Sequence, residues 1–261
     1  MIKVLWNNRK MLWELAVNDC RARFSSSMLG VVWTVLQPLV NMLVIWLVFQ
    51  VGFRSTPIAA DVPFIVWYMP AFVAWNYFQE STSQVSGSMI EYSYLVKKVN
   101  FSVEIIPPIK ILSNAIIHTF FIGFVIIVNL VYGRLPSIYY IQVLYYFICV
   151  MALSMSIGWI TSSVAPFVPD ITNIVALIIQ TGFWITPIFW DASNMSGIIG
   201  EVLKVNPMYY ICEGYRNCFV YKKFFWEQPG MTIYFWSIVM ICWILGCNLY
   251  SKSKKHFDDV L

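Results

Sequence analysis

The chain has 261 residues and a net charge of +4, and 59% of its residues are hydrophobic whereas only 11% are charged. A soluble domain carries about 25% charged residues, so the composition excludes an ordinary water-soluble protein. With a mean hydropathy of +0.69, the excess apolar surface needs lipid rather than water. The composition therefore predicts an all-α integral membrane protein.

The first segment, residues 1–24, predicts an amphipathic helix. On a helical wheel, Trp6 and Trp13 fall in one apolar arc, whereas Lys3 and Lys10 gather on the opposite side. This distribution is typical of a helix that lies in the membrane interface. Two roles stay open at this point, a guide for an anionic lipid-linked head group and a simple anchor.

Long uncharged intervals follow, and a spanning helix needs about 20 mainly apolar residues. Pro166 and Pro169 stop the helix in the longest interval, because proline cannot continue a helix. The sequence then predicts six transmembrane helices. Their expected bounds are 31–53, 62–86, 107–132, 139–164, 171–190 and 231–251.

The distribution of Lys and Arg predicts the orientation of these helices. The basic residues concentrate in both terminal segments and in the segment 87–110, whereas the short loops on the other side carry only Arg54 and Arg134. Cytoplasmic loops are enriched in Lys and Arg. We therefore expect both termini to be cytoplasmic.

Glu80 is the one charged residue within the second predicted span. A carboxylate at the bilayer centre costs about 2.5–3.5 kcal/mol on insertion scales. We therefore expect Glu80 near the inner end of this span, in a polar helix end that packs against another helix or lines a wet path.

The inner coupling loop, 87–106, has a helical pattern at its start. A solvated loop does not need Ile90, Tyr94 and Leu95, so this segment is expected to contact another protein. The alternative is a positively charged anchor with aromatic residues at the interface.

The outer segment 194–222 is too polar to span and too apolar for an ordinary loop, so it predicts two short re-entrant helices that form an outer gate. Asn206 is expected to cap the second helix, with Pro207 at its first position. Glu213 and Arg216 are three residues apart and can pair on one helix face. For such a pair, exchanging the two charges is expected to rescue either single change in part.

Several motifs are missing from the sequence. It has no phosphate-binding GxxxxGK[ST] loop, no Ser/His/Asp constellation and no His/Cys cluster with metal-ligand spacing. We therefore expect no cofactor or metal in this chain, and we expect a separate protein to supply the energy for transport. His118 is expected to form a hydrogen bond between helices. A membrane enzyme acting on lipid-linked sugars is the alternative, but Glu80, His118 and Asp170 do not make up a catalytic set.

The segment "NDCRARFSSSMLGVVWTVLQPLVNMLVIWLVF" resembles the start of permeases of ABC-type polysaccharide and teichoic-acid exporters, in which a basic pair precedes S-x-LG-x-x-W-x-x-x-x-P. "YLVKKVNFSVEIIPP" is similar to the loop between spans two and three of that family. "DITNIVALIIQTGFWITPIFW" and "NPMYYICEGYRNCF" resemble its fifth span and its outer gate helices. "TPIFWDASNM" is most similar to the teichoic-acid branch. Ser102 and Pro169 depart from the pattern of the family, at the contacts with the ATPase.

The resemblance implies a homodimer with two copies of an ABC-type ATPase, which bind ATP and Mg. It implies export of an undecaprenyl-diphosphate-linked polymer across the plasma membrane, with wall teichoic acid as the first expectation and O-antigen or capsular polysaccharide as the alternative. No nucleic-acid partner is expected.

The candidate site residues form four groups. The residues expected to bind the lipid diphosphate are Arg21, Arg23, Lys97 and Lys98. Of these residue types, arginine suits bidentate phosphate contacts. The aromatic residues expected to line a channel, with an interfacial belt as the alternative for each, are Trp33, Trp75, Tyr77, Phe78 and Trp184. The outer gate is expected to comprise Pro207, Tyr209, Tyr210, Glu213 and Arg216. The residues expected to couple to the ATPase are Glu91, Tyr94, Leu95 and Asp170.

Overall fold

The protein is described from a computed structural model at residues 2–23, 30, 32–53, 62–96, 102–192, 195 and 197–260. Within these ranges every regular element is a helix. The α-helices, in chain order, are α1 (Ile2–Asn7), α2 (Arg9–Ala22), α3 (Val32–Trp46), α4 (Phe64–Glu91), α5 (Ser93–Val96), α6 (Ile106–Val131), α7 (Val143–Val164), α8 (Ile171–Ile185), α9 (Ile198–Val205), α10 (Pro207–Arg216), α11 (Pro229–Ser253) and α12 (Phe257–Val260).

Helix α4 lies at the centre of the bundle. It packs against α3, α6, α7, α8 and α10, and α7 packs in turn against α11. Glycines allow the close approaches: a Cβ on Gly158 of α7 would overlap Val85 of α4, and one on Gly246 of α11 would lie 2.7 Å from the Cβ of Trp159. Small residues at helix contacts are typical of bundles in lipid.

Helix α2 and the end of α11 lie at the same end of this bundle, which we call the α2 end. Lys254, just after α11, binds Glu104 at 2.5 Å, just before α6. Helix α2 packs along the same part of α6. The opposite end, called the α10 end, carries α10, whose Cys212 donates to the carbonyl of Ala71 in the first half of α4.

Local sequence explains several helix boundaries. Pro107 and Pro108 lie in the first turn of α6, where a missing N–H costs no intrahelical bond. Helix α7 ends at Val164, ahead of Pro166, as the sequence predicts. Helix α8 ends at Ile185, five residues before the predicted bound, because Thr186 precedes Pro187 and is extended with ψ 133°.

Four helical stretches in the described residues are long and apolar enough to cross a membrane. These stretches are Val32–Gly52, Val103–Val131, Ile138–Val164 and Pro229–His256. Helix α4 has 28 residues, but polar residues around Glu80 lower its hydropathy. Helix α8 is apolar and shorter, with 15 residues. The chain is thus an all-helical protein with four candidate spans, and the number six stays a prediction.

The N-terminal amphipathic segment divides into α1 and α2 at Asn8, whose side-chain amide donates to the carbonyl of Val4 at 2.9 Å. The face of α2 that packs on the protein carries Leu12, Ala16 and Asp19. The predicted apolar arc therefore divides into a part that packs on the protein and a part that is exposed. Its tryptophans, Trp6 and Trp13, are exposed at 69% and 54%, as expected for side chains that reach lipid.

Candidate functional site

A buried ion-pair cluster joins α2 to α4 and α6 at the α2 end. Lys110 Nζ lies 2.6 Å from Asp19 Oδ1 and 2.7 Å from Glu91 Oε1. Arg23 Nη2 lies 2.6 Å from Asp19 Oδ2, and the Tyr92 hydroxyl donates to Asp19 Oδ1 at 2.6 Å. Asp19 thus accepts from three donors on three segments of the chain.

The environment of Asp19 favours its charged form. Burial alone would raise the pKa of this carboxyl, but the charge of Arg23 and the hydrogen bonds from Lys110 and Tyr92 lower it to about 2. A carboxylate held in this way is stable only while its cations stay in place. Asp19 therefore fixes the position of α2 against α6.

Directly beside this cluster lies a polar cavity of about 300 Å³ among α3, α4 and α6. Each helix contributes polar side chains spaced four residues apart, which places them on one helix face. These rows are Gln37 and Asn41 on α3, Asn76, Glu80 and Gln84 on α4, and Asn114 and His118 on α6. From Asn76 to Gln84 the row on α4 extends about 12 Å along the helix.

The cavity and the cluster share Arg23. Its Nη1 donates to Asn114 Oδ1 at 2.8 Å, and its Nη2 donates to Ser113 Oγ at 2.9 Å as well as to Asp19. The Asn114 amide donates in turn to Gln84 Oε1 at 3.0 Å, and Gln84 donates to Glu80 Oε2 at 3.1 Å. A continuous chain of hydrogen bonds therefore runs from α2 into the cavity.

The predicted phosphate-binding residues differ in their availability. Four of the five N–H groups of Arg23 are used within the protein, so one Nη1 N–H is left for a phosphate oxygen, and a bidentate contact would have to displace one of these hydrogen bonds. Arg21 is exposed. Lys97 and Lys98 lie outside the described residues.

The predicted channel aromatics occupy three environments. Trp33 and Tyr77 line the polar cavity. Trp75 and Phe78 are buried and pack against each other at 5.5 Å between ring centroids. Trp184 is 62% exposed and lines a smaller cavity of about 200 Å³ between α4 and α8. Gln79 lines both cavities, so the polar part of α4 faces each of them.

At the α10 end, Arg216 is fully buried. Its guanidinium lies over the Trp67 ring at 3.8 Å and donates to the carbonyls of Pro187 at 2.7 Å and Ile188 at 2.6 Å. The predicted ion pair with Glu213 is present. Arg216 thus fastens α10 to the segment after α8 and to the start of α4.

The rest of the predicted gate lies around α10. Asn206 Oδ1 accepts from the backbone N–H of Met208, and Pro207 is the first helical residue, so the predicted cap is present. Tyr210 bonds Tyr145 at 3.0 Å, whereas Tyr209 is half-buried. A gating role for these residues stays a prediction.

Helix α10 also contacts the cavity wall. His118 Nε2 lies 2.7 Å from the hydroxyl of Tyr215, which confirms that His118 makes a hydrogen bond between helices. Since Tyr215 precedes Arg216, one turn of α10 contacts both the cavity and the segment after α8.

The model of the family described as ABC-2 type transporter matches residues 11–220, which include most of α2, the cavity and α10. The chain belongs to this family. An O-antigen export system permease protein from Myxococcus xanthus is 21% identical over 262 residues, covering 100% of this chain and 99% of the relative. Two such proteins from Klebsiella pneumoniae are 23% and 22% identical, each with 97% coverage of both chains.

Membership implies a multi-pass membrane transporter that works with an ABC-type ATPase, and the similarities support a polysaccharide exporter permease. In this ABC-2 permease the residues predicted to couple to the ATPase lie at or near the α2 end. Glu91 binds Lys110, Tyr94 is 58% exposed, and Asp170 is exposed at the start of α8. Leu95 is buried against the permease itself. Of these two neighbouring residues, Tyr94 is therefore the more accessible to an ATPase.

Sequence reasoning missed Asp19 as the centre of the cluster, and treated Lys110 only as an inner positive charge. It also missed the row of amides. A search for polar residues at four-residue spacing within apolar helices would have found Gln37 with Asn41 and Asn76 with Glu80.

Proposed function

We propose that this permease is the transmembrane subunit of an ATP-driven exporter for a polymer linked to an undecaprenyl-type diphosphate lipid. The observation that carries the proposal is the similarity to O-antigen export permeases over the whole chain, together with a polar cavity beside Arg23 within an apolar bundle. The partner ATPase supplies the ATP and Mg sites.

Two cargoes follow from two different observations. The motif "TPIFWDASNM" resembles the teichoic-acid branch and favours wall teichoic acid. The three relatives are O-antigen export permeases, which favours O-antigen or capsular polysaccharide. Purified complexes assayed with both kinds of lipid-linked polymer decide between them.

In the proposed assembly two copies of the permease lie in the plasma membrane, and two ATPase subunits are bound at its cytoplasmic face. Six spans place both termini on the same side, and the distribution of Lys and Arg makes that side the cytoplasm, so the α2 end is the inner end. The location of α2 and the end of α11 at the same end of the bundle supports this arrangement, because an even number of crossings returns the chain to its starting side. The gate formed by α9 and α10 is then at the outer mouth.

Arg21 is the proposed first contact for the diphosphate, because it is exposed on α2 at the inner end. Arg23 has a mainly positioning role, since its donors already bind Asp19, Ser113 and Asn114. Arg21→Ala is expected to weaken the stimulation of ATP hydrolysis by lipid-linked substrate more than basal hydrolysis. Arg9→Ala, at the start of α2, is the matched control.

The decisive experiment is purification of the permease with its candidate partner ATPase, followed by assay of ATP hydrolysis against defined lipid-linked polymers. Stable association and stimulation by one polymer class are expected. Failure to associate, or hydrolysis that no lipid-linked polymer stimulates, would contradict the proposal.

A further inference from the structure

The cavity among α3, α4 and α6 contains amides that the described part of the protein leaves unsatisfied. Gln37 and Asn41 are exposed on α3 and Asn76 is half-buried on α4, and none of these amides has a side-chain hydrogen-bond partner in this part. The Thr34 hydroxyl is buried without one. Pro38 adds to this set, because it cannot donate to the carbonyl of Thr34 one turn earlier. Unsatisfied polar groups are costly in a membrane interior, so these groups need a polar occupant.

The unsatisfied groups match hydroxyls in hydrogen-bonding capacity. A side-chain amide offers two donors and an acceptor, and a hydroxyl likewise both donates and accepts. Glu80 accepts from Gln84 through one oxygen, while no described residue donates to the other. Along α4 the pattern of Asn76 and Glu80 therefore suits a ligand with several hydroxyl groups.

The charges at the cavity wall disfavour an anion. Glu80 is the carboxylate on the wall, and the cation at the rim, Arg23, is already paired with Asp19. A second negative group beside Glu80 would be repelled, and the low dielectric of the bundle strengthens such repulsion. The same wall therefore tolerates a neutral ligand and opposes a phosphate or a carboxylate.

The remaining walls fit a ring with apolar faces. The Trp33 ring lies at the edge of the cavity, while Tyr77 and Phe121 lie on the α4 and α6 walls. Aromatic rings can pack on the C–H faces of a sugar while the amides bind its hydroxyls. The volume of about 300 Å³ is at the small end of ligand pockets, which suits one unit rather than a chain.

We propose that this cavity binds the single neutral sugar that adjoins the diphosphate of the lipid-linked cargo, with Gln37, Asn41 and Asn76 bound to its hydroxyls and Glu80 rejecting charged units. The proposal rests on the proposed function. It places the sugar beside Arg23, so that the diphosphate stays at the α2 end near Arg21.

Three lipid probes test the site in the purified complex of the permease and its ATPase in lipid nanodiscs. They are a polyprenyl diphosphate alone, the same lipid with one neutral hexose, and the same lipid with one hexuronic acid. The readout is the concentration that half-saturates stimulation of ATP hydrolysis. We expect the hexose probe to act at about tenfold lower concentration than either other probe, since two or three new hydrogen bonds have this size of effect.

Two variants test whether the cavity causes the difference in half-saturating concentration between the probes. The double change Gln37→Leu with Asn76→Leu keeps side-chain volume and is expected to bring the hexose probe to the value of the diphosphate alone. Glu80→Gln is expected to narrow the discrimination between hexose and hexuronic acid by about tenfold. Glu227→Gln, on the exposed segment before α11, is the matched control and should leave all three values as in the parent protein.

The outcomes separate the site from the transport function. If the hexose probe and the diphosphate alone act at the same concentration while both stimulate hydrolysis, the cavity holds only water and this inference is wrong, whereas the proposed function stands. If no lipid probe and no lipid-linked polymer stimulates hydrolysis in an intact complex, the proposed function fails, and this site fails with it. The response to diphosphate alone shows whether each variant is folded.

Discussion

The ammonium nitrogen of Lys110 lies 2.6 Å from Oδ1 of Asp19, and each side chain is only 3% exposed. The contact ties α2, which lies outside the candidate spans, to α6, which begins one of them. Removing one partner of a buried pair leaves the other charge without compensation, and this is far more costly than replacing both.

Asp19→Asn is therefore expected to destabilise the permease by about 3–5 kcal/mol. Thermal unfolding in detergent, followed by circular dichroism, measures the effect. Combining Asp19→Asn with Lys110→Met also removes the buried ammonium, whose remaining partner Glu91 is 57% exposed, and should recover part of the loss. If the double variant is no better than the single one, Lys110 is not the group that Asp19 compensates.

The low pKa of Asp19 predicts an acid dependence of stability. Its folded value of about 2 lies below the ordinary value of 3.8, so the unfolded chain binds more protons between these two values. The stabilisation is complete above pH 4 and is lost as the pH falls towards 2. Unfolding midpoints measured from pH 6 to pH 2 should fall more steeply for the parent protein than for Asp19→Asn. Parallel curves would contradict the assignment.

Arg216 is a fixed anchor in this structure, and a simple charge exchange is not expected to rescue it. In Glu213→Arg with Arg216→Glu, the new carboxylate at 216 would face the carbonyl oxygens of Pro187 and Ile188. The double variant should unfold at least as easily as either single variant. Partial rescue, which the ion pair alone would predict, would show that the carbonyl contacts matter little.

Tyr215→Phe is expected to cost about 1–3 kcal/mol, because it leaves the buried His118 ring without its hydrogen-bond partner. His118→Phe in the same chain should recover part of this loss. Unfolding of Tyr215→Phe, of His118→Phe alone and of the double variant in detergent measures the coupling, and additive losses would exclude a direct contact between the two side chains.

Tyr94→Asp is expected to weaken association with the ATPase while the permease itself remains folded, because the Tyr94 side chain is 58% exposed. Tyr132→Asp, at the end of α6 and 47% exposed, is the matched control. Co-purification of the ATPase measures the effect. If both variants recover equal amounts of ATPase, Tyr94 is not part of the coupling surface. Leu95→Asp would not test this surface, because Leu95 is buried.

Features with a local cause could be predicted from the sequence. Asn206 and Pro207 start α10, and Pro166 follows the end of α7, because capping and proline geometry act within a few residues. The pairing of Asp19 with Lys110 could not be predicted, since 91 residues separate them and neither belongs to a periodic pattern.

The candidate site was only partly accessible to the same reasoning. Glu80 was expected to line a wet path or to pack against a helix, and it lines the polar cavity. The use of four of the five Arg23 donors within the protein was not foreseen, because it depends on Ser113 and Asn114 one helix away. From the sequence, Arg21 and Arg23 were expected to have the same role. In the structure Arg21 is exposed, whereas Arg23 is hydrogen-bonded within the protein.

The most direct measurement of the central claim is ATP-dependent movement of lipid-linked polymer in sealed vesicles that contain the permease and its ATPase. We predict that the polymer reaches the opposite leaflet only when permease, ATPase and ATP are all present. Movement of the polymer by the permease alone, without ATPase or nucleotide, would contradict the account.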